Sequence, residues 1–153
     1  MIVEAQVTIQ ASRAAVWSAI TDIEHAAKII SGIENIEILN RPPSGLVGLK
    51  WRETRTLFGK PATVEKWITD ATEGECYTTR AEDGGFVFVT TKSIAETSGG
   101  MSLSESHESK PQGLVATLSV PMLFLFKVTV KKHLLQDLKD IKAAVESDPK
   151  GTA

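Results

Sequence analysis

Two stretches of this sequence place charges where their own pattern calls for apolar side chains. From Leu49 to Leu57 the residues alternate with a period of two, the mark of a half-buried strand. Leu49, Trp51, Glu53, Arg55 and Leu57 share one face, while Lys50, Arg52, Thr54 and Thr56 share the other. The pattern returns at Met101, Leu103, Glu105 and His107, set against Ser102, Ser104, Ser106 and Glu108. A charge on an apolar face must be paired or reach water, because isolated burial is too costly. If both strands turn these faces inward, Glu53, Arg55, Glu105 and His107 polarise one apolar cavity. There Glu53 or Glu105 could serve as general base, His107 as acid or base, and Arg55 as the stabiliser of an enolate or oxyanion. The same groups could instead only orient the polar end of a bound molecule. The plain alternatives are a surface pair of Glu53 and Arg55 at a strand end, and a partly exposed His107 near the end of its strand.

Other chemistry is missing from the sequence. There is no Gly-rich phosphate loop, no G-x-S-x-G, no Cys pair and no His-x-x-x-His. His25, His107 and His133 stand far apart, so neither a metal site nor a cofactor is expected. Cys76 is the single cysteine, which excludes an intramolecular disulfide and fits a reducing compartment. No His or basic cluster adjoins it, and a small buried hydrophobe is its expected role.

The elements that must position these residues follow from composition and rhythm. The 153 residues are 42% hydrophobic and 24% charged, enough for one folded unit over 1–148 with a flexible tail at 149–153. Seventeen basic against 19 acidic residues leave a net charge of −2, which gives no basic excess for a nucleic-acid partner. The start of the chain lacks a basic segment leading into an apolar one, and the uncharged stretch 111–126 falls short of the ~20 apolar residues that span a bilayer. A cytoplasmic protein, monomer or homodimer, without stable membrane insertion is the expectation.

Val3, Ala5, Val7 and Ile9 alternate with polar residues as a first strand. Ser12 is placed to cap a helix carrying Val16, Trp17, Ile20 and Ile23, and a second short helix is expected over 24–30. Ile36 and Ile38 open another strand before Pro42-Pro43. Turn signals at Gly59-Lys60-Pro61, Glu73-Gly74, Asp83-Gly84-Gly85 and Ser98-Gly99-Gly100 divide the next stretch into five strands. From Gly113 to Ser147 one long helix is expected, with Leu114, Leu118, Met122, Leu125 and Val128 on a face continued by Leu134, Leu135, Leu138, Ile141 and Val145. Pro121 should kink or split it. Its Leu123–Lys132 portion, apolar and then basic, reads either as a membrane-surface segment or as a core helix whose solvated face is Lys127, Lys131 and Lys132. The sum is an α+β protein: a curved seven-stranded antiparallel sheet around a long C-terminal helix, with two short helices between strands 1 and 2 and a cavity beneath the long helix.

That order, with the phrases Val7-Thr8-Ile9-Gln10-Ala11-Ser12, Val16-Trp17-Ser18-Ala19-Ile20-Thr21-Asp22, Gly48-Leu49-Lys50-Trp51-Arg52-Glu53-Thr54-Arg55 and the Phe58-Gly59 turn, resembles the START-like or Bet v 1-like superfamily, the polyketide cyclase/dehydrase and lipid-transport group. The resemblance implies a helix-grip fold holding a lipid, polyketide or other apolar molecule. Under it the cavity lining is expected from Trp51, Glu53, Arg55, Phe86, Phe88, Met101, Leu103, Leu118, Met122 and Leu125. Three functions compete: binding or carriage of a small hydrophobic ligand, cyclase- or dehydratase-like catalysis through Glu53, Glu105 and His107, and a non-catalytic interaction module. Membership alone does not choose among them.

Overall fold

The structure is a computed structural model that describes residues 1–148; the tail expected over 149–153 lies outside the described residues. β1 (Ile2–Ile9) leads through Ser12, whose Oγ accepts from the Ala15 N–H at 3.2 Å, into α1 (Arg13–Thr21). The expected second helix is a tighter 3₁₀ segment, Ile23–Lys28, which carries the chain into β2 (Ile33–Asn40). β3 (Lys50–Leu57), β4 (Lys60–Thr72), β5 (Cys76–Asp83), β6 (Phe86–Thr97) and β7 (Gly100–Pro111) follow as a meander.

All neighbours pair antiparallel in the order β1-β7-β6-β5-β4-β3-β2. β1 returns beside β7, with Ile2 opposite Glu108 and Ile9 opposite Met101. Register shifts between β2 and β3, and between Ile68 and Asp70 on β4, are the bulges that let a long sheet curl. The β3–β4 turn has Phe58 at φ 52° and Gly59 at φ 76°, the two left-handed centres of a two-residue hairpin. The inward side chains Val3, Ile9, Ile68 and Leu103 close a core with Val16 of α1 and Leu138 of the last helix. Tyr77 Oη donates to the Ile20 carbonyl at 2.9 Å and so fastens α1 to the sheet.

The long C-terminal helix is split, one of the two outcomes expected of Pro121. α2 (Leu114–Leu118) ends at Ser119, and α3 (Val120–Ser147) begins with Pro121 in its first turn. Proline lacks the N–H that a continuous helix would need there, so the split is a backbone requirement. α2 buries Ala116, which lies where a Cβ on Gly85 of the β5–β6 turn would come within 3.3 Å. Of α3, the half from Leu134 onward enters the core through Leu134, Leu138, Ile141 and Val145. The half before it is exposed on nearly every side.

Two expectations are corrected here. Leu118, Met122 and Leu125, expected to line the cavity, lie 82%, 58% and 76% exposed on the outer surface. A 3.6-residue stripe identifies a face but not its partner, and the break at Ser119 turns this face from the sheet. Cys76 is half-buried, because strand alternation gives the inward position to its neighbour Tyr77.

Candidate functional site

Strand alternation carries Glu53 and Arg55 to the concave face, as it does Trp51 beside them. Glu53 is buried and both its oxygens are engaged: Oε1 accepts from Arg55 Nε at 2.5 Å and Lys66 Nζ at 2.9 Å, and Oε2 from Trp51 Nε1 at 3.2 Å. Arg55 then reaches across to α3, where Nη1 lies 3.4 Å from Asp137 Oδ1 and Nη2 bonds Oδ2. One guanidinium therefore ties β3 to the helix. Farther along the face, Lys92 Nζ stands 3.1 Å from Glu105 Oε2, an oxygen with no aligned hydrogen-bond donor.

Burial by itself would raise the Glu53 carboxyl and lower the two cations. The mutual attraction of these groups prevails in each case. Lys66 and Arg55 hold Glu53 far below the usual carboxylate range. Glu53 and Asp137 keep Arg55 charged, and Glu105 does the same for Lys92. Asp137 differs, since burial pushes its carboxyl up and Arg55 offsets only part of that.

His107 sits in the same cluster but carries no charge at neutral pH. Burial, then the positive fields of Lys66, Lys92 and Arg55, bring it down to about 4. Its ring stacks on Phe88 at 5.7 Å between centroids, and Nδ1 lies 2.8 Å from Thr90 Oγ1. A pH dependence follows. The unfolded chain takes up this proton near pH 6.5 and the folded chain only near 4, so between those values the unfolded state binds more protons. Stability should fall by up to about 3 kcal/mol as the pH drops through that window. Asp137, with its raised carboxyl, works in the opposite sense and offsets part of the loss at the acid end. Urea titrations at both ends of the window should show a flatter dependence in His107→Gln; an unchanged slope would assign the effect elsewhere.

Beyond the Arg55–Asp137 bridge the sheet and α3 stand apart. A chamber of about 310 Å³ opens between them, walled by Leu57, Val64, Ala81, Phe88, Val130 and Leu134, with His133 on the helix side. Its polar end is Arg55, Lys66, Thr79, Thr90, Glu105, His107 and Asp137. Behind those residues a second space of about 60 Å³, room for a few waters, reaches Trp51, Glu53, Tyr77, Lys92 and Ile141. Arg55, Lys66, Thr79, Thr90, Glu105 and Asp137 border both spaces, so the network is a charged partition between them.

The profile of the polyketide cyclase/dehydrase and lipid transport family matches residues 1–146. The chain belongs to that family. No curated protein matches this polyketide cyclase/dehydrase and lipid transport member in sequence. Its fold is that of Ara h 8.0201, with a TM-score of 0.71 at 20% identity over 97% of this chain and 99% of the other. The Zhui aromatase/cyclase from Streptomyces sp. R1128 superimposes with a TM-score of 0.73 at 18% identity, covering 94% and 92% of the two chains. A START superfamily protein from Mycobacterium smegmatis gives 0.63 at 17% identity, over 88% and 97%. These likenesses show the helix-grip fold that the sequence phrases imply.

Of the candidate residues, the structure brings together Trp51, Glu53, Arg55, Phe88, Glu105 and His107. Phe86 stacks on Phe88 at 6.2 Å without lining the chamber. Met101 and Leu103 are packed solidly in the core at the far end of β7. Lys66, Lys92 and Asp137 escaped the sequence reading, although each obeys the signal that exposed Glu53. Lys66 shares a face with Val64 and Ile68, Lys92 with Thr90 and Ile94, and Asp137 adjoins Leu134, Leu138 and Ile141 on one helix face. Among the described residues no group of three or more His, Cys, Asp or Glu side chains is placed to hold a metal ion.

Proposed function

We propose that this protein binds and carries a small hydrophobic molecule in the chamber between the sheet and α3, its polar end held by the Arg55–Lys66–His107 side. The observation that carries this reading is the chamber itself: aliphatic and aromatic walls ending on one convergent polar wall. Apolar contact supplies the affinity, and the neutral imidazole of His107 with the Thr90 hydroxyl supplies directional hydrogen bonds. Glu53 suits a supporting part, because a carboxylate with three donors and a lowered pKa is a weak base.

Catalysis is the second reading, and a specific observation favours it. His107, neutral at physiological pH, and Asp137, whose carboxyl is raised, border the same chamber. A poly-β-carbonyl probe separates the readings, since turnover supports cyclase-like chemistry and recovery of intact probe supports carriage.

The binding test places bulk in the chamber. Val64 is half-buried on its wall, opposite Glu53 in the β3–β4 register. Val64→Phe should weaken binding of hydroxylated polycyclic aromatics or fatty acids at least tenfold by calorimetry, a loss of about 1.4 kcal/mol, with the melting temperature nearly unchanged. Native mass spectrometry of the unaltered protein should show a retained small molecule. Absence of any bound species, with no affinity across such a panel, would overturn the proposal.

A further inference from the structure

The apolar surface ahead of the chamber has a use that ligand binding does not supply. Leu114, Val115 and Leu118 of α2 and Met122, Phe124, Leu125 and Val128 of α3 are each more than half exposed. On the opposite side Phe58 stands 66% exposed at the β3–β4 turn, its ring 5.3 Å from that of Phe126. The two helices and the turn thus present one apolar projection, larger than the scattered apolar residues of an ordinary surface.

The charge around it is one-sided. Between Glu108 and Asp137 the chain has no acidic residue, yet it carries Lys110, Lys127, Lys131, Lys132 and His133. Lys131 follows Phe124, and Lys132 follows Leu125, by seven residues, which sets each amine on the same helix face about 10 Å along the axis. With the Leu114–Val128 end entering the interface obliquely, that axial offset leaves the amines on the headgroup side of the apolar segment, their stems snorkelling along the helix. A two-fold pairing of copies would instead place the lysine segments of both copies in one interface, which has no acidic residue between Glu108 and Asp137 to offset them. No described helix is long and apolar enough to cross a membrane.

We propose that the Leu114–Val128 surface, with Phe58, docks the protein on an anionic phospholipid bilayer, seated in the interface with Lys127, Lys131 and Lys132 among the headgroups. Each lysine near such a surface contributes roughly fivefold in partitioning. Leu57 and Val130 of the chamber wall adjoin Phe58 and the Val128 end of this surface in the chain, so docking would bring the chamber proposed for the ligand close to the bilayer.

The experiment is flotation of the full chain with vesicles of equal parts phosphatidylglycerol and phosphatidylcholine, and with pure phosphatidylcholine. Binding should need the anionic lipid and weaken at high salt. Joint replacement of Lys127, Lys131 and Lys132 by glutamine should cut partitioning about a hundredfold, and Leu125→Glu with Val128→Glu should abolish it. These positions are solvent-exposed, so the variants should keep their melting temperature and, in vesicle-free buffer, their affinity for chamber ligands. That second readout separates failure of docking from failure of the binding proposal. Absence of flotation at low salt would overturn the proposal, as would variants that float like the parent. Self-association that vanishes in Leu125→Glu, with no vesicle binding, would overturn it in favour of a homodimer face.

Discussion

Arg55→Leu should lower the unfolding free energy by about 3–5 kcal/mol, as is usual when one partner is taken from a buried ion network. Arg55 is the link between Glu53 on the sheet and Asp137 on α3. Without it Glu53 keeps Lys66 and Trp51, whereas Asp137, 5% exposed, loses the cation that partly offsets its burial. The penalty therefore falls on one orphaned carboxylate. Lysine should rescue little, since a single ammonium cannot reproduce the fork that reaches both acids. Replacing Glu53, Arg55 and Asp137 together by leucine should recover most of the loss, with Lys66 turning to water. Urea denaturation at constant m gives the comparison directly. A cost below about 1 kcal/mol for Arg55→Leu is the size of an exposed pair, and would mean that water already screens the partition.

The second large effect lies on α3 itself. Leu138 is fully buried, and Leu138→Ala should cost about 3–5 kcal/mol through lost transfer energy and an unfilled cavity. Leu125→Ala, the same change thirteen residues earlier on the same helix, should fall within about 0.5 kcal/mol because the side chain is already in solvent. Thermal or denaturant unfolding of the two variants reads the contrast. Equal losses would mean that the exposed half of α3 packs against something the fold does not show. One helix thus does two jobs: its C-terminal half holds the sheet closed, and its N-terminal half faces outward.

The fold was legible because strands and helices leave different periods in the sequence. Val3, Ala5, Val7 and Ile9 alternate, the strand at Trp51–Leu57 alternates, and the glycine-bearing turns fall between runs of β-formers. The site was legible where a charge interrupts an apolar face, as at Glu53, Arg55, Glu105 and His107. Lys66, Lys92 and Asp137 break their faces in the same way, but their pairing depends on which strands and helix meet, and local periodicity contains no such information. Leu118, Met122 and Leu125 show the converse limit. Their spacing is that of a core stripe, yet burial needs an opposing surface, and Ser119-Val120-Pro121 turns theirs elsewhere. The Leu123–Lys132 stretch, apolar then basic, fits a membrane-surface segment and a core helix alike, so the sequence alone did not separate this half-helix from the other.

The return of β1 to the side of β7 has a consequence during synthesis. Ile2 finds its partner only when Glu108 has been made, and Ile9 when Met101 has. At about 5–20 residues per second, the strand emerges first and waits roughly 5–20 s without a neighbour. Throughout that interval Val3, Ala5, Val7 and Ile9 form an unpaired apolar edge, of the kind that recruits other chains. Glu4, Gln6, Thr8 and Gln10, interleaved with them, keep the waiting strand half polar. The ribosome therefore releases this protein in the order least convenient for its sheet, and the alternation that later sorts inside from outside first serves to keep the strand apart from its neighbours.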